Sequence, residues 1–208
     1  MEASTSDTSA VRSSGRPRSR RAHDAIIEAT VELLAAVGYG DMSIEAIAER
    51  AGVGKSTIYR WWPSKGALAG EALAQGLNRG PEPPTGSTRE DLIRTIEVTI
   101  GNYSDSSAAM SILPALVAHL ERDPELLQAF RHSFLEPRRR NGRALIASAV
   151  ERGDLPEDVD PDLLMDIWAG AIFYRSLVSG GRLEGVSGQL AEFILSGRLP
   201  RLMPDDQP

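Results

Sequence analysis

The amino-acid sequence predicts an all-α fold, with a small N-terminal domain followed by a larger C-terminal helical bundle domain. Apolar residues recur every three or four positions along most of the 208-residue chain, which is typical of helices that bury one face. No segment shows the strict alternation of apolar and polar residues that predicts a strand. A segment rich in proline and glycine, at 80–86, indicates the boundary between the two domains.

The N-terminal domain is predicted to span residues 20–79. Residues 1–19 hold almost no large apolar side chains and are rich in serine and arginine, so we expect them to form a disordered basic arm. Glycine at Gly38 stops the first helix, Ser43 caps the second, and Pro63 closes the third. These signals predict helices over 20–37, 44–51, 55–62 and 64–78.

The C-terminal domain is predicted to span residues 87–200. A sequence that resembles a capping box opens its first helix at Thr88, and Asp-Pro pairs open two others. Pro137 lies within a long periodic segment, where we expect it to kink or divide the helix because proline has no N–H to donate. The resulting helices are predicted over 88–103, 107–121, 125–151, 162–179 and 187–198.

Composition excludes several kinds of site. The chain has no cysteine, and its three histidines lack the close spacing of a zinc site, so we expect no disulfide, metal or cofactor. The uncharged run at 167–174 is too short to cross a bilayer. The N-terminus lacks the apolar core of a secretory signal, so we expect a cytoplasmic protein without a membrane partner.

Charge is distributed unevenly along the chain. The net charge is −6, yet residues 1–65 carry nine basic and eight acidic residues, so the acidity lies in the C-terminal part. Five arginines lie between Arg12 and Arg21, and the chain's two lysines, Lys55 and Lys65, also lie in the N-terminal part. This part is therefore free to approach phosphates, whereas a surface that coats nucleic acid everywhere is disfavoured.

The stretch Gly54-Lys55-Ser56 allows two interpretations. The first is a phosphate loop, which requires glycine at position 49 and a buried strand before the loop. The chain has Glu49 there, and the preceding residues have the pattern of an amphipathic helix. The second interpretation is a helix-turn-helix over 43–62, in which a glycine-bearing turn joins two short helices.

The helix-turn-helix interpretation gives each face of its second helix a role. Ala48 is small where the two helices would cross, and Gly52 permits the left-handed backbone of the turn. Trp62 lies four residues after Ile58 and would close the small apolar core on that face. The opposite face holds basic and hydroxyl groups suited to the bases and phosphates of DNA, namely Lys55, Ser56, Tyr59 and Arg60.

Residues 20–79 resemble the DNA-binding domain of the tetracycline-repressor (TetR) family. They contain a helix ending in Gly-x-Gly, a serine cap, the sequence Ile-Ala-x-x-Ala-Gly-Val, and Thr-Ile-Tyr followed by an aromatic residue and a lysine. The resemblance implies a three-helix DNA-binding domain in which Lys55, Ser56 and Arg60 read bases. The residues that it implies in phosphate contacts are Ser43, Thr57, Tyr59, Trp61 and Lys65.

Two positions depart from the pattern of the family. Trp61 replaces a more usual histidine or tyrosine, and it suits packing as well as a phosphate contact. Glu45 occupies a place where some members have a cation, so we assign no base contact to it. Arg20 and Arg21 are additional candidates for phosphate or minor-groove contacts, although such arginines often serve only solubility.

Residues 123–180 resemble the C-terminal domain of one subgroup of the family, with Phe-Leu-Glu-Pro-Arg-Arg, Glu-Arg-Gly-Asp-Leu and Asp-Pro-Asp in that order. The resemblance implies a domain that forms a homodimer and binds a small ligand. The helix over 162–179 is apolar nearly all round, so it must be covered on two sides, one of them by a second copy. The candidate interface residues are Ile167, Ala171, Tyr174, Val178, Leu190, Phe193 and Ile194.

A ligand pocket would be lined by large or polar-tipped residues of the C-terminal helices. For each such residue the alternative is an ordinary position in the core. We expect the arginine run at 138–140 to be a solvated helix face. The pocket candidates are Met110, His119, Phe130, Phe134, Met165, Trp168 and Tyr174.

Together these features predict a homodimeric transcriptional regulator, a repressor that a small apolar effector releases from a palindromic double-stranded DNA operator. No nucleophile–base pair or pair of carboxylates stands out, so we expect no enzyme activity. Two alternatives stay open. One is a nucleotide-binding protein that uses Gly54-Lys55-Ser56, and the other is a helical dimerisation module without DNA-binding activity.

Overall fold

The computed structural model describes residues 16–77, 84–101, 103 and 108–197, and every regular element within them is helical, which confirms the all-α fold. Most of the predicted arm and of the segment at 80–86 lies outside the described residues. Among the described helices, none combines the length and the apolar character needed to span a membrane. The helices are α1 Arg16–Asp41, α2 Ile44–Ala51, α3 Lys55–Tyr59, α4 Lys65–Leu77, α5 Thr88–Gly101, α6 Ala108–Val117, α7 Pro124–Ala129, α8 Glu136–Glu151, α9 Pro161–Tyr174 and α10 Val186–Ser196.

The start of α1 differs from the sequence prediction, whereas the break near its end agrees with it. The helix begins at Arg16, so residues 16–19 are helical rather than part of a disordered arm. Pro17 explains the early start, because proline is favourable in the first turn of a helix. The helical backbone is interrupted at Gly38, as predicted, where φ is 74° and ψ is 174°. The chain then turns and buries Tyr39.

The helices α2 and α3 pack as the predicted helix-turn-helix. Ser43 Oγ accepts a hydrogen bond from the N–H of Ala46 at 3.1 Å, and Gly52 ends α2 with a φ of 65°. The second helix is shorter than predicted and ends at Tyr59. Pro63 disfavours helical backbone in the residue before it, which limits any continuation. The side chains buried here are Ile44, Ile47, Ala48, Ile58 and Trp62.

The helices α4 and α7 pack so closely that their backbones lie nearly in contact. A Cβ on Gly66 would lie 2.6 Å from the backbone nitrogen of Leu126, and a Cβ on Gly70 would lie 2.6 Å from the Cβ of Ala129. The two glycines are four residues apart, so they lie on the same side of α4. We call this contact of Gly66 and Gly70 with α7 the glycine seam. It fixes the last helix of the N-terminal part directly against the C-terminal part.

A polar cluster joins the same two parts where α4 and α7 begin. Tyr39 Oη donates a hydrogen bond to Asp123 Oδ2 at 2.5 Å, and Asp123 also caps α7 through the N–H of Leu126. Burial, followed by the hydrogen bond to Asp123, raises the pKa of Tyr39 well above its ordinary value. Burial opposes ionisation of Asp123, yet the hydrogen bonds from Tyr39 and from the backbone hold its pKa below the ordinary value.

The long helical segment after Asp123 is divided near Pro137, as predicted. The chain passes from α7 into a π-helical segment, Phe130–Leu135, and α8 then begins with Pro137 in its first turn. Proline has no N–H to donate to the carbonyl of Ser133, so regular α-helical bonding does not continue through this point. A second π-helical segment, Arg175–Ser179, prolongs α9.

The glycine seam can be tested by Gly70→Ala. The added methyl group has no room against Ala129, so we expect the free energy of unfolding to fall by about 1–3 kcal/mol, the usual range for overpacking. The matched control is Gly76→Ala on the same helix, where a Cβ meets only Val31 Cγ2, at 3.9 Å. Alanine favours helix over glycine by up to about 1 kcal/mol, so this control should keep or raise stability. Urea unfolding at fixed protein concentration measures both, and equal effects would contradict the seam.

The polar cluster can be tested by Tyr39→Phe, which should cost about 1 kcal/mol at neutral pH through the lost hydrogen bond. The pKa of Asp123 is lowered in the folded protein, so its contribution is present above the unfolded pKa and is lost as pH falls through the folded pKa. The stability difference between wild type and Tyr39→Phe should therefore shrink as pH falls below the ordinary aspartate pKa, about 3.9. Tyr59→Phe, at an exposed hydroxyl, is the control. A difference that stays constant with pH would contradict the role of Asp123.

Candidate nucleic-acid interface and ligand cavity

One face of the helix-turn-helix is open to solvent. Lys55, Ser56 and Arg60, the predicted base-reading residues, are all exposed. The side chain of Tyr59 is 52% exposed and lies one turn after Lys55, on the same side of α3. The described structure therefore presents basic and hydroxyl groups on the surface that a helix-turn-helix would turn towards DNA.

An ion pair joins the start of α3 to the first turn of α2. Lys55 Nζ lies 2.8 Å from Glu45 Oε1, and the two side chains are 55% and 66% exposed. The hydrogen bond between them lowers the pKa of Glu45 and raises the pKa of Lys55. Both groups are therefore charged at neutral pH. The stretch Gly54-Lys55-Ser56 follows a helix, so the phosphate-loop interpretation lacks the strand that it requires.

The predicted phosphate-contact residues differ in accessibility. Arg20 and Arg21 are exposed near the start of α1. Ser43 and Thr57 are half-buried, and the hydroxyl of Ser43 already caps α2. Among these candidates the accessible positive charge therefore lies on α1, whereas Ser43 caps α2 and Thr57 lies within α3.

Lys65 is held inside the N-terminal part. Its Nζ donates to the carbonyl oxygens of Tyr39 at 2.9 Å and of Met42 at 3.1 Å. The ammonium also lies 4.3 Å from the centre of the Tyr39 ring. Lys65 therefore braces the turn between α1 and α2.

Trp61 is half-buried in an aromatic cluster. Its ring centre lies 5.1 Å from that of His23 and 5.5 Å from that of Trp62. The guanidinium of Arg60 lies 5.5 Å from the same ring. Of the two roles predicted for Trp61, packing is present in the structure, and part of the side chain stays accessible beside Arg60.

A cavity of about 740 Å³ lies within the C-terminal part. The helices α5, α8 and α9 contribute to its wall, together with the π-helical segment that follows α7. The predicted pocket residues that line it are Phe130, Phe134, Met165 and Trp168. Gly142 also lines it, and the Sδ of Met165 occupies the place where a Cβ on this glycine would lie.

Two other pocket candidates do not line this cavity. His119 follows α6 and faces the N-terminal part, with its ring centre 5.4 Å from that of Tyr39 and Nδ1 2.8 Å from the carbonyl oxygen of Ala115. Tyr174 lies on the outer side of α9 and is 59% exposed. Met110 belongs to α6, but its side chain lies outside the described part of the chain.

The expectation of a solvated arginine face at 138–140 is wrong for Arg138 and Arg139, which both line the cavity. The guanidinium of Arg138 lies 3.7 Å from the centre of the Phe134 ring, and burial lowers the pKa of Arg138 to about 10, so it stays charged at neutral pH. Tyr103 also lines the cavity, and burial raises its pKa to about 12. The four-residue spacing of Phe134, Arg138 and Gly142 is the sequence signal that places Arg138 on the inner face.

An apolar stripe is exposed along the outer side of α9 and of the π-helical segment that prolongs it. Its members, which we call the α9 stripe, are Leu163 (57% exposed), Ile167 (40%), Tyr174 (59%) and Val178 (62%). Three of them are among the predicted interface residues, and the fourth, Leu163, is not. The other predicted interface residues are less accessible. Ala171, Phe193 and Ile194 are half-buried, and Leu190 is buried within the same chain.

Comparison with known proteins covers both parts of the chain. Residues 26–72 match the family described as bacterial regulatory proteins, tetR family. Residues 82–188 match the family described as tetracyclin repressor-like, C-terminal domain. The second match alone spans about half of the chain.

Individual relatives and structures agree with these matches. The uncharacterized HTH-type transcriptional regulator YdeS of Bacillus subtilis (strain 168) is 34% identical over 171 residues, which cover 82% of this chain and 85% of that protein. The DNA-binding transcriptional repressor TetR of Mycobacteroides abscessus is 29% identical over 175 residues, covering 82% and 90%. The crystal structure of the TetR family transcription regulator SCO0332 has a TM-score of 0.68 at 29% identity, covering 86% of this chain and 100% of that one. The chain therefore belongs to the TetR family of helix-turn-helix transcriptional regulators.

Proposed function

We propose that the protein is a homodimeric repressor that binds a palindromic DNA operator and is released from it by a small, largely apolar effector. One observation carries the proposal: the helix-turn-helix, which has an accessible face, and the helices around the large cavity share one continuous hydrophobic core. The name of the Mycobacteroides abscessus relative, a transcriptional repressor, supports the direction of control. Since the partner would be chromosomal DNA, the proposal includes a cytoplasmic location.

In the proposed complex, α3 lies in the major groove. Lys55 and Arg60 donate hydrogen bonds to guanine, and the hydroxyl of Ser56 bonds to a neighbouring base edge. The exposure of all three side chains supports these roles, because base contacts require groups that can leave water for the groove.

Phosphate contacts are proposed around this face. Arg20 and Arg21 supply the accessible charge near the start of α1, and Tyr59 supplies an exposed hydroxyl. Lys65 uses two of its three N–H donors on backbone carbonyls, so its proposed contribution is a single contact. Ser43, Thr57 and Trp61 are half-buried, and we propose that only the accessible part of each side chain contacts a phosphate.

The α9 stripe supports a two-fold dimer. Its members recur at helical spacing on one side of α9, and covering them with a second copy would remove apolar surface from water. Ala171, Phe193 and Ile194 are proposed at the edges of this contact, while Leu190 supports it from within each subunit. A two-fold dimer would place the two recognition helices about 34–36 Å apart, one turn of DNA.

The cavity supports binding of a small molecule with a long or bulky apolar part. Its volume of about 740 Å³ lies within the usual range for small-molecule sites, roughly 300–1,000 Å³. Phe130, Phe134 and Trp168 supply apolar surface, while Arg138 and Tyr103 supply charge and a hydroxyl at the wall. We therefore propose an effector that is mainly apolar and carries one polar, acceptor-bearing end.

The glycine seam gives a route from the effector to the DNA-binding face. Phe130 and Phe134 line the cavity, and Phe130 directly follows Ala129, the residue that contacts Gly70. A ligand that displaces these rings would move α7, and α4 would have to follow because no side chain larger than the methyl group of Ala129 lies between the two backbones at the seam. A coupling free energy of about 1–3 kcal/mol would suffice for regulation.

Selection of bound sites from random duplex DNA tests the DNA-binding proposal, and we expect a palindrome with half-site centres about 10 base pairs apart. Lys55→Ala should relax the preference at particular base pairs. Arg21→Ala, the control, should weaken binding to all sequences alike and reduce the salt slope by about one. Affinity measured against salt for both variants separates these effects. A similar loss of preference in both would contradict the base-reading role, and failure to enrich any site would favour the dimerisation module.

The effector site can be tested by Val98→Trp, which fills the cavity from α5 because Val98 lines it. We expect the fluorescence of anilinonaphthalene sulfonate to rise with wild type and to rise much less with the variant, while operator binding is kept. Val37→Trp is the matched control, because Val37 is 48% exposed and lies outside the cavity wall. A compound that releases DNA equally well from wild type and Val98→Trp would contradict the site.

A further inference from the structure

The ion pair between Glu45 and Lys55 places a carboxylate within the surface proposed to read bases. The carboxylate oxygen lies 2.8 Å from the ammonium, so any base that Lys55 contacts lies within a short distance of Glu45 as well. We propose that Glu45 is a specificity-determining residue, and that Glu45 and Lys55 together read a single G·C base pair. This inference rests on the proposed base contact of Lys55.

The two side chains are complementary to the major-groove edge of that pair. Guanine presents two acceptors there, O6 and N7, and the cytosine paired with it presents one donor, the N4 amino group. The ammonium of Lys55 donates to the guanine, and the carboxylate of Glu45 accepts from the cytosine amino group. The ion pair thus holds a donor and an acceptor at a spacing close to that of neighbouring groups on one base pair.

The exposure of both groups makes this reading physically accessible. With 55% and 66% of the side chains exposed, the pair contributes little to the stability of the free protein, and its geometry adjusts easily to the groove. Each residue of the pair lies at the start of its helix, Glu45 in the first turn of α2 and Lys55 as the first residue of α3. Neither side chain is needed in the core.

The carboxylate also rejects other base pairs. Thymine presents the O4 acceptor where cytosine presents its amino group, so a Glu45 carboxylate facing thymine would meet an oxygen without a proton between them. Holding a charged acceptor against another acceptor in the interface is costly. Glu45 therefore excludes A·T at this position, in addition to the attraction that Lys55 has for guanine.

The test uses the duplex recovered by selection with the wild-type protein. At each G·C pair of a half-site, guanine is replaced by 7-deazaguanine, which lacks N7, or cytosine is replaced by 2-pyrimidinone, which lacks the amino group. Binding is measured by fluorescence anisotropy at fixed salt for wild type, Glu45→Ala, Lys55→Ala and Glu49→Ala. Glu49 is exposed on the same helix, so its variant controls for the removal of one negative charge.

We expect one G·C pair at which both base changes weaken the wild-type complex about tenfold. At this pair, Glu45→Ala should lose sensitivity to the missing amino group and keep its sensitivity to the missing N7, while Lys55→Ala shows the reverse. Glu49→Ala should keep both sensitivities.

Two results would overturn the inference. If removal of the cytosine amino group weakens binding of Glu45→Ala as much as it weakens binding of wild type, Glu45 does not read cytosine. A Glu45→Ala variant that behaves like Glu49→Ala throughout would reduce Glu45 to a general repulsive charge. Failure of the proposed function looks different, since in that case selection recovers no site, or Lys55→Ala leaves every base preference unchanged.

Discussion

The close contact of α4 with α7 is the constraint on which the rest of the structure depends. Gly66 lies against the backbone of Leu126 and Gly70 against the methyl group and backbone of Ala129, so a single added methyl group on either glycine would collide with α7. Packed contacts of this kind do not deform gradually, because the interior of a protein has little free volume. The position of α4 is therefore fixed by α7, and any rearrangement of α7 has to be shared by α4.

The position of α3 depends in turn on this contact. A helix of five residues, Lys55–Tyr59, has no independent stability in water. It is held because Ile58 and Trp62 are buried, and because Trp62 Nε1 donates a hydrogen bond to Glu71 Oε2 on α4 at 2.7 Å. The position of the recognition face therefore depends on α4. The polar cluster of Tyr39 and Asp123 is a second contact between the N-terminal and C-terminal parts.

Much of this could be predicted from the sequence, because caps, glycine stops and proline breaks act through neighbouring residues. Ser43 as a cap and Pro137 as a break are local effects of this kind. The cavity has no such local signal, since it is the space that several helices leave between them after packing. For that reason His119 was expected in the pocket although it faces the N-terminal part. Arg138 was expected in solvent because a run of three arginines usually forms a solvated helix face, although its four-residue spacing from Phe134 and Gly142 places it on the inner side of α8. The glycine seam has no local signal either, because the partner of Gly70 is α7, which is distant in sequence.

The distribution of charge then bears on how such a protein distinguishes its operator from other DNA. Non-specific affinity comes from cations near phosphates, and it grows with their number. On the helix-turn-helix the charge of Lys55 is offset by Glu45, and Lys65 is turned towards backbone carbonyls. Arg60 on α3, and Arg20 and Arg21 near the start of α1, are exposed cations that supply this unspecific attraction. Because the ion pair of Glu45 and Lys55 removes part of the positive charge from the recognition face, discrimination there rests on matching hydrogen-bond donors and acceptors to base edges rather than on net charge.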